Sequence, residues 1–300
     1  MSDSLCTPIL PSQKPSHSPQ RPLRERLQIF TCHANADAPD VAVPPDLSST
    51  VTGSGPPVVI LHGLFGSAAN WRRIADALAH RWQVFSIDLP NHGNSSWTND
   101  MSYPAQAKTL ARFISDHVPN NPLVIGHSMG GKVAMALALE GGIPLTGLVV
   151  VDIAPVTYPH SHRSLVASMK ALDLAALRSR RDAEQALESD MPDKALRQFL
   201  LQNLRNVDGG LHWRINLDVI HRQMAVLTGF DIAPGHSDIP ALFVYGTQSD
   251  YVTPQLTPQI MGRFPKAHLR AIQDAGHWLH TEKPGALIDA FTDFAETAGD

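Results

Sequence analysis

The sequence contains very little cysteine and no long apolar segment. Its 300 residues include two cysteines, Cys6 and Cys32, both near the N-terminus. Two such cysteines make no disulfide framework, which is typical of proteins from a reducing compartment. No apolar run approaches the roughly 18 residues that a membrane-spanning helix requires. The formal net charge of −4 is small, so we expect neither nucleic acid nor an anionic membrane surface as a partner.

The N-terminal region also lacks a recognisable targeting signal. The basic segment 21–26 is followed by an apolar run, 27–30, that is too short for the core of a secretory signal peptide. Several acidic side chains in the first part of the chain disfavour a transit peptide. We therefore expect a cytoplasmic protein. Residues 1–56 have the composition of a disordered or loop-rich extension, with one possible strand near 27–33.

The rest of the chain alternates strands and helices. With 43% hydrophobic and 17% charged residues, it can form one large domain. Short apolar runs predict buried strands, and apolar residues at helical spacing separate them. This alternation predicts an α/β fold: a mostly parallel central sheet with helices on both faces and ligands at the carboxyl ends of its strands. We assign this core to residues 57–155 and 237–300. The predicted strands are 58–61, 84–87, 123–125, 148–151, 241–245 and 268–272.

The alternation stops between residues 156 and 236. This segment carries several helical patterns and no convincing buried strand. Because it leaves the sheet at the ligand-binding edge and returns to it there, we interpret it as an all-helical lid over that edge. The alternative is a helical extension that packs elsewhere.

The segment around Ser128 matches the nucleophile motif G-x-S-x-G. Gly126, Ser128 and Gly130 lie between the predicted strand 123–125 and a helical pattern. A strand that turns at once into a helix gives the central residue a positive φ, exposes its hydroxyl and requires small residues on either side. It also places the Met129 N–H at a helix N-terminus, where an oxyanion is stabilised. We therefore predict Ser128 as a catalytic nucleophile.

A serine nucleophile needs a base, and 15 histidines compete for that role. His277 follows the last predicted strand in a Gly-His turn, where a loop can bring its imidazole over the serine. We predict His277 as the base. His127 is adjacent to the serine but faces the other way in the turn, so we interpret it as a packing residue. We expect His280 to lie beyond reach of the serine.

The acid that orients this histidine has two candidates. Asp250 follows the strand 241–245, which is the position most often used, but it comes one residue later than the common Gly-x-x-Asp spacing from Gly246. Asp152 follows the neighbouring strand 148–151 at the same edge. Each could instead be an ordinary turn or cap residue. The residues alone leave the two nearly equal.

The second oxyanion donor should follow the first buried strand of the core. His62-Gly63 lets the chain turn there, which places the Leu64 N–H to act with that of Met129. The N–H of Phe65 is the fallback.

The loop after the next strand contains Asp88 and His92, which we interpret as a pair that fixes a turn. A metal site built from these two residues and His62 is disfavoured. We expect no metal and no cofactor.

Together these stretches resemble the α/β-hydrolase superfamily, and within it the bacterial YbfF-type esterases and the related mitochondrial abhydrolase-domain-containing protein eleven. The resemblance covers about residues 57–297. It is carried by HGLFGS (62–67), DLPNHGNS (88–95), GHSMGGKVAM (126–135), VVDIAP (150–155), WRIN (213–216) and GHW (276–278).

The resemblance implies the α/β-hydrolase fold and hydrolysis of small-molecule carboxylic esters with small to medium acyl groups. It implies thioester cleavage for some members of the family. It also implies Asp152 as the acid, because an aspartate stands in the Val-Asp-Ile-x-Pro stretch of the family, whereas the position of Asp250 is not reliably acidic.

Other functions of the same fold stay open as alternatives. C–C bond hydrolases and cofactor-free haloperoxidases share the catalytic triad, whereas dehalogenases and epoxide hydrolases need an aspartate in place of Ser128. A non-catalytic ligand-binding member is disfavoured by the intact set of serine, histidine and acid. The sequence does not predict the oligomeric state.

Overall fold

The structure is a computed structural model, and it describes residues 46–159 and 161–298. The possible strand near 27–33 lies outside the described residues, as does most of the predicted N-terminal extension. No helix in the described ranges is both long enough and apolar enough to cross a membrane.

The described chain alternates strands and helices along the core. The strands are β1 (Ser49–Thr52), β2 (Pro57–Leu61), β3 (Gln83–Ile87), β4 (Leu123–His127), β5 (Gly147–Val151), β6 (Leu204–Val207), β7 (Gly210–Trp213), β8 (Ala241–Gly246) and β9 (Ala267–Ile272). The helices are α1 (Arg72–Leu78), α2 (Tyr103–His117), α3 (Met129–Glu140), α4 (Arg163–Ala171), α5 (Arg180–Ala186), α6 (Lys194–Leu200), α7 (Leu217–Arg222), α8 (Met224–Thr228), α9 (Thr257–Arg263), α10 (Leu279–Glu282) and α11 (Pro284–Ala298).

Seven strands form the central sheet, in the order β1-β3-β2-β4-β5-β8-β9. All neighbouring pairs are parallel except β1 with β3. The mostly parallel α/β sheet predicted from the alternating pattern is therefore confirmed. The carboxyl ends of β2, β4, β5 and β8 meet at one edge, and the candidate site residues follow them there.

Both faces of the central strands β2, β4 and β5 are buried, which is why these strands are mostly apolar. On β2, Val59 and Leu61 pack into the core on one face with α2 and α3. Val58 and Ile60 point to the other face, where α1 and α11 pack. Alternate residues of a strand point to opposite faces, so a strand that is covered on both sides has apolar side chains on both faces.

The first strand of the sheet corrects an expectation. We predicted residues 1–56 as a disordered or loop-rich extension with one possible strand near 27–33, but Ser49–Thr52 forms β1 and pairs antiparallel with β3. Its side chains are exposed or half-buried, so the strand lies at the sheet edge and leaves no apolar run in the sequence.

The segment between β5 and β8, which we call the lid (residues 156–236), contains α4 to α8. It is not all helical as predicted, because β6 and β7 form an antiparallel hairpin within it. The turn of this hairpin is Asp208-Gly209, with φ values of 50° and 85°. Asp-Gly is a favoured pair for a tight hairpin turn because both positions need positive φ.

The lid is attached to the loops at the ligand-binding edge. Asn216 Nδ2 donates to Asn91 Oδ1 at 3.0 Å, and Asn203 Nδ2 donates to the Phe65 carbonyl at 2.7 Å. These buried hydrogen bonds join the lid to the loops after β2 and β3, so it lies at the predicted ligand-binding edge.

Candidate active site

Ser128 lies in a sharp turn between β4 and α3. Its φ is 51° and its ψ is −115°, a conformation that is costly for a residue with a Cβ. A methyl group on Gly126 would lie 2.3 Å from the Gly130 carbonyl oxygen, and one on Gly130 would lie 2.5 Å from that of His62. The turn therefore closes only with glycine at both flanking positions, and it leaves the Ser128 side chain half-buried rather than sealed in the core.

His277 follows β9 and is hydrogen-bonded to Asp152. His277 Nδ1 lies 2.7 Å from Asp152 Oδ2. Since a carboxylate only accepts, Nδ1 carries the proton and Nε2 is the nitrogen available to act as a base. The Asp152 side chain is fully buried, whereas that of His277 is 20% exposed. Asp152 can therefore orient the ring without contacting a substrate.

Asp152 is surrounded by donors at the end of β5. The Gly246 N–H donates to Oδ1 at 3.2 Å, and Ser249 Oγ donates to Oδ2. Burial raises the pKa of Asp152 to about 7, while the hydrogen bonds from Ser249 and Gly246 act in the opposite direction. Burial therefore outweighs these hydrogen bonds in setting the pKa of Asp152.

The two candidate acids, Asp152 and Asp250, differ in burial and in hydrogen-bond partners. Asp250 is exposed to solvent. The position three residues after Gly246 is Ser249, and this serine donates to Asp152. The loop after β8 therefore supplies a hydrogen-bond donor to Asp152 at the place where the common arrangement puts an acid.

Two further residues hold the His277 ring and its loop. The Tyr251 ring stacks on the imidazole, with centroids 4.0 Å apart. His127 Nε2 lies 2.9 Å from the His277 carbonyl oxygen and donates to it. This bond is compatible with the interpretation of His127 as a packing residue. Sequence reasoning missed Tyr251, because no motif indicated its role. His280 packs below, stacked on Trp71 at 4.9 Å.

The candidate oxyanion donors flank Ser128. Met129 is the first residue of α3, where backbone N–H groups have no partner within the helix. Within the described ranges, no hydrogen-bond acceptor is paired with the N–H of Leu64 or Met129. The N–H of Phe65, the fallback donor, is instead 3.3 Å from His92 Nε2 and donates to it. Leu64 is thus better placed than Phe65 for the role.

His62 and His92 are structural residues in this arrangement. His62 Nδ1 donates to the Gly63 carbonyl at 2.8 Å, and its Nε2 accepts from the Leu89 N–H at 2.9 Å. His92 Nδ1 donates to the Pro90 carbonyl at 2.9 Å. Burial lowers the pKa of His62 to about 4 and that of His92 to about 3. Both rings are neutral, and their nitrogens serve backbone groups of the two loops rather than a metal.

Asp88 fixes the turn at the end of β3. Its Oδ1 accepts from the Ala68 N–H at 2.7 Å, and its Oδ2 accepts from the Asn94 N–H at 2.9 Å. The turn-fixing interpretation of this carboxylate matches these contacts.

A cavity of about 310 Å³ opens beside the nucleophile. Ser128, His277 and Leu64 all line it. Lid residues Leu165, Leu196 and Phe199 give it apolar walls. The fold therefore brings the predicted nucleophile, base and one oxyanion donor to a single cavity, with Asp152 buried behind the base.

The fold and this site define the class of protein. A strand–turn–helix serine, a histidine after the last strand and an intervening acid are the parts of the α/β-hydrolase active site. The family model of the alpha/beta hydrolase family matches residues 58–290. The chain belongs to the α/β-hydrolase family.

Within that family the chain is similar to proteins named as esterases and lipases. It is 38% identical to the sn-1-specific diacylglycerol lipase ABHD11 of Mus musculus, over 80% of each chain. It is 36% identical to the esterase YbfF of Escherichia coli, over 78% of this chain and 91% of that protein. The solved structure of a marine microorganism esterase superposes with a TM-score of 0.80 at 37% identity, covering 83% of this chain and 99% of that one. The resemblance stated from the motifs is therefore confirmed.

Proposed function

We propose that the protein hydrolyses carboxylic esters through an acyl-enzyme formed on Ser128, with His277 as the base and Asp152 as the acid that orients it. The chain is an ester-cleaving hydrolase of the esterase and lipase type. The observation that carries the finer proposal is the 2.7 Å contact between His277 and Asp152, beside a strained serine that lines the same cavity as His277.

Acylation begins when Ser128 Oγ attacks the ester carbonyl carbon. His277 Nε2 takes the Oγ proton, and the carbonyl oxygen becomes an oxyanion that accepts from the N–H groups of Leu64 and Met129. As the tetrahedral intermediate collapses, the C–O bond to the alcohol breaks and His277 returns the proton to the leaving alkoxide. Asp152 stabilises the imidazolium throughout.

Deacylation repeats these steps with water. His277 removes a proton from the water that attacks the acyl carbon, and then protonates Ser128 as the acid product leaves. The same sequence cleaves an acyl thioester, because a thiolate leaves in place of an alkoxide. Small to medium acyl esters are the proposed substrates, with thioesters as a second substrate class.

The test is the loss of activity in Ser128→Ala, with Ser189→Ala as a control. Ser189 is an exposed lid residue. We expect Ser128→Ala to lose roughly 10,000-fold or more of the hydrolysis rate of p-nitrophenyl butyrate, and Ser189→Ala to keep it. A fluorophosphonate probe should label the parent and the control but not Ser128→Ala. Equal hydrolysis by Ser128→Ala and the parent would refute the mechanism.

A further inference from the structure

We infer that the enzyme selects esters with a short acyl group and a bulky apolar alcohol. This inference rests on the proposed function and specifies which esters the same site prefers. It comes from two cavities of unequal size that meet at Ser128.

The second cavity is much smaller than the first. It measures about 40 Å³ and is lined by Ser128, Leu64, Met129 and Lys132, among others. The larger cavity measures about 310 Å³. For scale, an apolar cavity of about 150 Å³ accommodates benzene. The small cavity therefore has room for a methyl or ethyl group but not for a ring, whereas the large cavity can take an aromatic or branched group.

The chemistry of the reaction decides which half of the ester enters which cavity. The leaving alcohol must receive its proton from His277 Nε2, and His277 lines the large cavity. Met129, one of the two oxyanion donors, lines the small one. When the N–H groups of Leu64 and Met129 hold the carbonyl oxygen, the alcohol oxygen of the ester points to His277. In this orientation the acyl chain lies in the small cavity and the alcohol in the large one.

The walls of the small cavity are fixed by hydrogen bonds, so it cannot easily expand. Lys132 Nζ donates to the carbonyls of Thr228 and Gly229 at 2.9 and 2.6 Å. The Tyr103 hydroxyl donates to the Leu227 carbonyl at 2.6 Å. These bonds join α2 and α3 to the lid at the end of α8. A longer alkyl chain would have to break them, and it would lie against the buried polar Nζ of Lys132.

The lid side of the large cavity is apolar. Leu165, Leu196 and Phe199 of the lid face it together with Trp278. Phe199 and Trp278 lie against each other with ring centroids 6.0 Å apart. This lining suits the hydrocarbon part of an aryl or alkyl alcohol.

Two isomeric esters test the orientation directly. Benzyl acetate and methyl phenylacetate contain the same atoms and differ in which side of the ester carries the ring. We expect kcat/KM to be at least about tenfold higher for benzyl acetate, the range that a misfitting hydrocarbon group costs in a pocket. Equal rates, or a preference for methyl phenylacetate, would overturn the inference.

A pair of variants then separates the two cavities. Leu227 lines the small cavity and Leu196 lines the large one. We expect Leu227→Ala to raise the ratio of hexanoate to acetate hydrolysis in a p-nitrophenyl series by about tenfold. Leu196→Ala should leave that ratio unchanged and alter the rates for benzyl and naphthyl acetates instead. If Leu227→Ala does not fold, the isomer pair on the parent enzyme still decides the question.

The outcomes distinguish this inference from the proposed function. Fluorophosphonate labelling of Ser128 with equal hydrolysis of both isomers removes the inference and leaves the proposed function intact. A preference for esters of long fatty acids with small alcohols does the same. No labelling and no hydrolysis of any ester overturns both.

Discussion

Asp152 is a fully buried carboxylate with a positive φ, and both features follow from its place. Its φ is 52°, and its backbone N–H donates to the Val244 carbonyl at 2.8 Å. The backbone is thus anchored to β8 while the side chain turns toward His277. A residue that is buried, strained and poorly solvated costs stability, which is typical of positions selected for function.

We expect Asp152→Asn to reduce kcat by about 10,000-fold. The amide would present a donor to His277 Nδ1 and favour the tautomer that carries its proton on Nε2, which then cannot act as a base. Steady-state hydrolysis of p-nitrophenyl acetate measures the loss. Asp250→Asn is the matched control, and because Asp250 is exposed its activity should stay within about twofold of the parent. The opposite pattern in the two variants would assign the acid to Asp250.

At the residue scale, the sequence pointed to one serine and one histidine but left two candidates for the acid. G-x-S-x-G carries its own geometric reason, since only glycine fits at Gly126 and Gly130. Nothing local distinguished Asp152 from Asp250, because their difference lies in burial and in the distance to a residue more than 100 positions away. The part played by Ser249 and Tyr251 also depends on how the loop after β8 folds over His277, which no short motif encodes.

The turn between β4 and α3 is the element on which the site depends. We expect Gly130→Ala to lower the free energy of unfolding by more than about 3 kcal/mol or to prevent folding, because its methyl group would lie 2.5 Å from the His62 carbonyl oxygen and 2.7 Å from that of Leu61. Both contacts are to backbone atoms of β2 and its loop, which cannot move without disturbing the sheet.

Gly262→Ala serves as the control for this prediction. Gly262 lies in α9, and a methyl group there would meet no atom within 4 Å. Alanine is the better helix former, so this variant should be more stable by about 0.5–1 kcal/mol. Urea denaturation followed by circular dichroism compares the two. A Gly130→Ala protein as stable as Gly262→Ala would show that the turn is not under this constraint.

The elements that the sequence predicted are those buried on both faces. β2, β4 and β5 appear as continuous apolar runs because each is covered by helices above and below. β1 and the β6–β7 hairpin were missed because most of their side chains are exposed or only half-buried. Their pairing is decided by backbone partners brought close by the rest of the fold, so amphipathic patterns carry little information about them.

At the scale of the whole molecule, the site is assembled from two parts of different origin. The sheet supplies the predicted nucleophile, acid and base from the ends of β4, β5 and β9. The lid supplies Leu165, Leu196 and Phe199 to the apolar wall of the large cavity, and with α2 and α3 it closes the small one. The proposed reaction therefore uses residues of the core, whereas the proposed substrate preference depends on the cavities between core and lid.

The catalytic edge also concentrates buried neutral histidines, which ties stability to pH. Burial lowers the pKa values of four of them below the usual 6.5: His62, His92, His127 and His280. For each, the unfolded chain binds the proton more readily than the folded protein. Their contribution to the free energy of unfolding is therefore complete above pH 6.5. It is lost as the pH falls toward the pKa values that these histidines have in the folded protein. Asp152, whose pKa is raised, acts in the opposite direction between pH 3.8 and about 7.

Because the histidines outnumber this carboxylate, we expect the free energy of unfolding to fall as the pH is lowered from 7 to 5.

A variant of His280 measures the contribution of one of these histidines. Burial lowers its pKa to about 2, and among the described residues its Nδ1 has no hydrogen-bond partner. His280→Phe keeps a ring to stack on Trp71 and removes the group that must stay unprotonated. Its stability relative to the parent should therefore improve by about 2 kcal/mol between pH 7 and pH 5. His236→Gln, which changes an exposed histidine, should follow the parent across the same range. Urea denaturation at each pH measures the difference, and a His280→Phe curve parallel to that of the parent would mean that His280 does not contribute to the acid sensitivity.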